Sequence, residues 1–139
     1  MAPGVNGMWN YPELPPERQA PLALAYVGDA VFELFVRTLL LKKDSKVNQL
    51  HKKAIGLVRA QAQAGYYKKL EGQLGETELE IMRRGRNAKS RPSKTAPPPE
   101  YHMSTGFECL IGYLFLKKDE ERLLQLLELA LREEEEEHA

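Results

Sequence analysis

Leu24-Ala25-Tyr26-Val27-Gly28-Asp29-Ala30-Val31-Phe32-Glu33 sets a carboxylate into the middle of an apolar, helix-forming run. Leu22 through Leu41 is read as one long helix, apolar on most faces and therefore central, with Pro21 suited to its first turn. Burying an unpaired charge costs several kcal/mol, so a cation is expected beside Asp29. Gly28, unfavourable inside a helix, is expected to permit close approach of a partner element. Glu33 lies one turn on and shares a face with Asp29; it either joins the same site or pairs with Arg37 at i+4, and the ion pair is favoured. A second isolated acid, Glu108, stands in Ser104-Thr105-Gly106-Phe107-Glu108-Cys109-Leu110-Ile111-Gly112-Tyr113. Two acids on two core helices are the donors a hard, oxygen-liganded cation such as Mg²⁺ would use. Taken alone, Asp29 reads equally well as a core carboxylate satisfied by an arginine or a backbone amide.

Outward from that helix the pattern stays helical. Lys42–Ser45 is read as a turn, and Val47 to Leu70 as helical, with Gly56 and Gly65 as the points that could break it into two or three pieces. Glu76 to Met82 gives a short helix opened by acids, as the helix dipole prefers. Arg83 to Tyr101, with Pro92, Pro97, Pro98 and Pro99, is expected to be a long loop. Ser104 or Thr105 then caps a helix running to about Lys118, and Glu120 to Glu137 forms the last. No segment shows sustained period-two alternation, so the predicted fold class is all-α, a helical bundle without a sheet. Residues 1–21 hold five prolines and are read as an extended arm anchored by Trp9 and Tyr11, with 22–139 as one domain.

The net charge of +0 hides segregation. Arg37 to Lys94 holds fifteen Lys/Arg against five Asp/Glu, whereas Asp119 to His138 holds two against nine. The basic middle points to a polyanionic partner, and the acidic end to a solvated or frayed helix terminus. The single cysteine, Cys109, lies in an apolar run and reads as a small buried hydrophobe in a reducing compartment. There is no leader-like start and no apolar run near the roughly 18 residues that cross a bilayer, so a soluble cytoplasmic protein without a membrane partner is expected, or an organellar one if a transit segment has been removed. No phosphate-loop pattern, cysteine cluster or nucleophilic triad can be composed, and His51, His102 and His138 are scattered.

The stretch Arg83-Arg84-Gly85-Arg86-Asn87-Ala88-Lys89-Ser90-Arg91-Pro92-Ser93-Lys94 carries six positive charges and no acid. Arg83, Arg84, Arg86, Asn87, Lys89, Arg91 and Lys94 are candidate phosphate contacts through guanidinium forks and hydrogen bonds. With no aromatic before Tyr101, base stacking is disfavoured, which points to the backbone of a duplex. Lys46, Asn48, His51, Lys52 and Lys53 open the preceding helix and could add contacts; a solvated surface is the plain alternative for both groups.

These residues also carry a resemblance. Leu22-Ala23-Leu24-Ala25-Tyr26-Val27-Gly28-Asp29-Ala30-Val31 is similar to the signature helix of the ribonuclease III catalytic domain, and Phe107-Glu108-Cys109-Leu110-Ile111-Gly112 resembles that family's second acidic motif. Arg84-Gly85-Arg86-Asn87-Ala88-Lys89 narrows the resemblance to Mini-ribonuclease III, the subfamily made of the catalytic domain without a double-stranded-RNA-binding domain. The resemblance covers roughly Leu22 to Leu129. It implies an Mg²⁺-dependent (with Mn²⁺ as substitute) homodimeric endoribonuclease that cleaves double-stranded RNA, leaves a 5′ phosphate and a 3′ hydroxyl, and matures the precursor of large-subunit (23S) ribosomal RNA, with a ribosomal protein as a candidate partner. Asp29 and Glu108 would be its metal-liganding, catalytic acids, and Tyr26 the aromatic inserted into the dimer mate. Larger relatives carry Glu where Ala25 stands and Asp where Thr105 stands, departures that also resemble the Mini subfamily. The alternatives are a non-catalytic RNA-binding or ribosome-assembly factor on the same fold and, more remotely, a helical adaptor for an acidic protein.

Overall fold

The computed structural model describes residues 9–41, 45–89 and 98–132. Among them are a 3-10 turn, Pro16–Arg18, and the helices α1 (Pro21–Leu40), α2 (Val47–Val58), α3 (Ala60–Glu71), α4 (Glu76–Asn87), α5 (Pro98–Leu116) and α6 (Glu120–Leu131), with no strand. None of these helices is long and apolar enough to cross a membrane.

The expected all-α bundle is what forms, but its axis is α5 rather than α1. From Ser104 to Leu114 every residue of α5 except the half-buried Glu108 is buried, and α1, α3, α4 and α6 pack around it. Helix α1 instead buries one stripe, Leu24, Ala25, Gly28, Phe32 and Val36, and leaves Leu22, Tyr26, Leu34 and Leu39 exposed. Its apolar composition on most faces therefore reflects one packed face plus one open apolar face. Phe32, Tyr66 and Phe107 meet edge-on or tilted, with ring centroids 5.0–5.7 Å apart, at the α1–α3–α5 junction.

Gly28 permits the close approach expected of it. A Cβ on Gly28 would run into the Glu108 carbonyl and stand 2.8 Å from the Gly112 nitrogen, while one on Gly112 would run into the Leu24 carbonyl. The α1 and α5 backbones thus touch, and this contact brings Asp29 alongside Glu108. A second crossing uses Gly85 of α4, whose added Cβ would lie 2.9 Å from the Gly106 Cα and 2.7 Å from the Cys109 Cβ.

Three expected boundaries move. The break between α2 and α3 falls at Arg59, in extended conformation (φ −67°, ψ 160°), and neither Gly56 nor Gly65 interrupts its helix. The carbonyls freed there are taken up by α3 side chains: the Tyr66 hydroxyl donates to Leu57 at 2.8 Å and Gln63 Nε2 to Val58 at 2.7 Å. Helix α4 runs on through Arg83, Arg84, Arg86 and Asn87, so these residues are helical and not in a loop. Nothing in Arg83–Lys89 breaks a helix except Gly85, and its cost is offset by the crossing it permits. Helix α5 begins at Pro98, because proline is tolerated in a first turn. Ser104 and Thr105 therefore lie inside it, and their hydroxyls donate back to the Tyr101 carbonyl at 2.7 and 3.1 Å rather than capping an end. The turn at 42–44, the loop from Ser90 to Pro97 and the acidic run from Glu133 lie outside the described residues.

Trp9 and Tyr11 anchor the arm as expected. Both rings sit 5.7 Å from Phe115, and the Lys118 ammonium lies 4.4 Å over the Tyr11 ring. Nearer α1, the Tyr113 hydroxyl donates to Glu17 at 3.1 Å.

Candidate metal centre and nucleic-acid face

Asp29 and Glu108 meet where α1 crosses α5. Asp29 is exposed, contrary to its expected burial, because it falls on the margin of the packed stripe of α1. The cation expected beside it is no side chain among the described residues, whose ion pairs are Arg37–Glu33 and Arg122–Glu78. What faces Asp29 is Glu108, within hydrogen-bonding reach. Burial first, and then the negative charge and hydrogen bond of Asp29, push the Glu108 carboxyl up to about 8. Two carboxyls held together without a counter-ion resemble a site awaiting positive charge.

Glu33 pairs with Arg37 at 2.8 Å, both side chains well exposed, which is the favoured of its two expected states. Ala25, four residues before Asp29, and Thr105, three before Glu108, are both buried. No cluster of three or more His, Cys, Asp or Glu exists among the described residues, so the acidic centre consists of two carboxyls. The donors available are oxygens, which suits Mg²⁺ or Mn²⁺ and not a soft metal.

Sequence reasoning passed over Gln63. It is 2% exposed on α3, its Nε2 donates to Val58, and its amide lies close enough to Glu108 to favour the charged form of that carboxyl. Its Oε1 is buried with no donor among the described residues. The signal was available: Gln63 precedes Tyr66, Tyr67 and Leu70 by three, four and seven residues, a polar group on an otherwise apolar helix face.

The basic candidates occupy two helices. Lys46 precedes α2, and Asn48, His51, Lys52 and Lys53 lie exposed on it; Asn48 Oδ1 accepts from the Gln49 amide at 2.9 Å. On α4, Arg83, Arg84 and Asn87 are exposed, as is Lys89 just beyond. Arg86 is half-buried, its guanidinium 5.8 Å over the Tyr67 ring and its Nε donating to Asn87 Oδ1 at 3.2 Å, so it also serves packing. Helix α2 packs on α1 and α4 on α5, the two helices that carry the acids. Arg91 and Lys94 lie outside the described residues.

Tyr26 is 83% exposed. It borders an apolar hollow with Trp9, Val27, Val31, Leu34 and Phe115 that opens beside Asp29. A large aromatic thus stands at the edge of an open apolar face. Cys109, by contrast, is buried; burial pushes its thiol up to about 12, and it donates to the Pro21 carbonyl at 3.3 Å. It is the inert hydrophobe expected.

With this geometry, the comparisons with known proteins agree. A family profile described as Ribonuclease III domain matches residues 22–119. Two curated proteins named Mini-ribonuclease 3 are close relatives. The one from Clostridium tetani is 46% identical over 114 residues, covering 80% of this chain and 76% of its own. The one from Symbiobacterium thermophilum is 49% identical over 112 residues, covering 79% and 86%. A crystal structure of a protein from Fusobacterium nucleatum superimposes with a TM-score of 0.76 at 31% identity, covering 82% of this chain and 93% of that one. A profile spanning the whole acidic crossing, together with relatives sharing nearly half their residues, places the chain in the ribonuclease III family, among the Mini-ribonuclease 3 proteins.

Proposed function

We propose that the protein is a divalent-metal-dependent endoribonuclease of double-stranded RNA, acting as a homodimer, with Asp29 and Glu108 as its catalytic acids. The observation that carries this reading is the facing pair of carboxyls at the α1–α5 crossing, with no cation among the described side chains to balance them. Membership of the ribonuclease III family supports the substrate class. The orphaned, buried Gln63 Oε1 beside the pair and the all-oxygen donor set fit a hard cation such as Mg²⁺, with Mn²⁺ as substitute. When bound, such a cation supplies the charge that activates a water and stabilises a departing 3′ oxygen, leaving a 5′ phosphate.

The chain's own residues have distinct tasks. Asp29, exposed on α1, is reachable by a phosphodiester from solvent. Glu108 is held against it by the helix crossing; near neutral pH it keeps a proton while the pair stands alone and gives it up when positive charge enters between the acids. Arg83 and Arg84 on α4 with Lys89 just beyond it, and His51 and Lys52 on α2 with Lys46 just before it, grip phosphates, with Asn48 and Asn87 adding hydrogen bonds. Arg91 and Lys94 extend this set by composition alone. They read the backbone, since the deep, narrow major groove of A-form RNA is closed to side chains.

The open apolar face around Tyr26 supports the dimer. A two-fold pair would line up two acid pairs, one for each strand of a duplex. Within that activity we assign the precursor of large-subunit ribosomal RNA as substrate, a ribosomal protein as candidate partner and the cytoplasm as location. Incubating purified protein with a long RNA duplex, with and without Mg²⁺, tests the reading: Mg²⁺-dependent shortening supports it. Salt-sensitive duplex binding without cleavage would replace it by the non-catalytic RNA-binding reading.

A further inference from the structure

The side-chain amide of Gln63 offers two N–H donors and two carbonyl lone pairs. Nε2 donates to the Val58 carbonyl at 2.7 Å, and the amide lies beside the Glu108 carboxyl, whose charged form it favours. The bond to Val58 fixes the orientation of the amide, since reversing it would set two oxygens against each other. Oε1 is then left as a buried acceptor without a donor among the described residues, on a residue 2% exposed. An orphaned buried acceptor is costly, and such atoms in native proteins usually meet a water or an ion. This one belongs to the same planar amide that lies beside Glu108, at the border of the acid pair.

We propose that Gln63 is a positioning residue of the acidic centre: Nε2 steers the Glu108 carboxylate toward Asp29, and Oε1 accepts a hydrogen bond from a water carried by the divalent cation. This rests on the metal reading above and extends the site from α1 and α5 to α3. The break at Arg59 then has a use beyond topology. It exposes the Val58 carbonyl, which locks the amide, so the α2–α3 junction and the acid pair share one side chain.

The test is Mn²⁺ binding to RNA-free protein, followed by electron paramagnetic resonance, in wild type and in Gln63→Met, which keeps length and burial but has no amide. Loss of such a supporting partner commonly weakens metal binding about 10–100-fold, and at least a tenfold loss is expected with folding retained by circular dichroism. A purely structural role would lower the metal-free melting temperature and leave Mn²⁺ affinity unchanged, which would overturn the inference. Wild type that binds no Mn²⁺ would instead sink the metal reading, a separable outcome. If Gln63→Met does not fold, the wild-type side-chain amide resonances of Gln63 decide. They should shift during Mg²⁺ titration with the midpoint at which Mg²⁺ displaces Mn²⁺, and resonances unmoved at saturation would overturn the proposal.

Discussion

Replacing Gly28 by alanine adds one methyl group where α1 and α5 touch. That carbon would run into the Glu108 carbonyl and lie 2.8 Å from the Gly112 nitrogen, against ordinary contacts of 3.4 Å or more. Both obstacles are backbone, so no rotamer change relieves them and the helices must separate. Overpacking a core typically costs about 1–3 kcal/mol, and a clash confined to backbone belongs at the upper end. For a chain of this size about 3 kcal/mol corresponds to a fall in melting temperature on the order of 10 °C. Gly65→Ala makes the same chemical change inside α3, where nothing lies within 4 Å of the added Cβ. It should stabilise by about 0.5–1 kcal/mol, because glycine is a poor helix former. Urea unfolding followed by circular dichroism measures both. Gly28→Ala should also lose cleavage beyond its loss of folded protein, since moving the helices apart separates Asp29 from Glu108. A Gly28→Ala protein as stable as wild type, within about 0.5 kcal/mol, would refute the close crossing.

The other expectations concern charge and assembly. Glu108 binds its proton more tightly folded than unfolded, so metal-free protein should lose stability as pH rises from about 4.5 to about 8, and Mg²⁺ should flatten that loss; melting temperatures against pH with and without Mg²⁺ measure it, and a metal-free stability that rises over this range would contradict the facing acids. Arg122→Ala removes a fork whose Nε and Nη2 each lie 2.8 Å from a Glu78 oxygen and whose Nη2 also donates to the Gln73 carbonyl at 3.0 Å, so urea unfolding should show a loss of about 2 kcal/mol. Arg83, Arg84 and Lys89 changed together to Ala should weaken all RNA duplexes alike and flatten the slope of log affinity against log salt by about 2–3, whereas Arg86→Ala should lower the melting temperature as well, through lost contact with Tyr67. Tyr26→Ala should weaken self-association by about 2 kcal/mol in sedimentation and lower activity at dilute protein; full activity from a monomer would count against the dimer.

How far the sequence could be read depended on whether a feature was local. The helical class, the anchoring of Trp9 and Tyr11 and the burial of Cys109 follow from periodicity and composition. Gly28 beside Asp29 could be recognised as a point of close approach. Its counterpart Gly112 could not be, because that pairing is set by how two distant helices cross. The glycine rule misplaced the α2–α3 break: Gly56 and Gly65 are exposed positions that helix tolerates, whereas Arg59 is held extended by tertiary bonds to Leu57 and Val58. Proline content made a loop of Arg83–Tyr101, yet its basic end completes α4 and its last prolines start α5. Asp29 was expected to be buried from the apolarity of its neighbours, although those neighbours include an open face. Gln63 was legible as a polar break in an apolar stripe, but its contact with Glu108 was not, since that joins α3 to α5.

The most direct measurement of the central claim is cleavage of a long RNA duplex by wild type, Asp29→Asn and Glu108→Gln, with and without Mg²⁺, at protein concentrations that saturate duplex binding. Each substitution keeps the side-chain volume and removes one charge of the facing pair. The account predicts Mg²⁺-dependent cleavage by wild type and loss of cleavage, with duplex binding retained, in both variants. Either variant cutting at the wild-type rate would contradict the assignment of that acid, and wild type cutting equally well in chelator would contradict the metal centre itself.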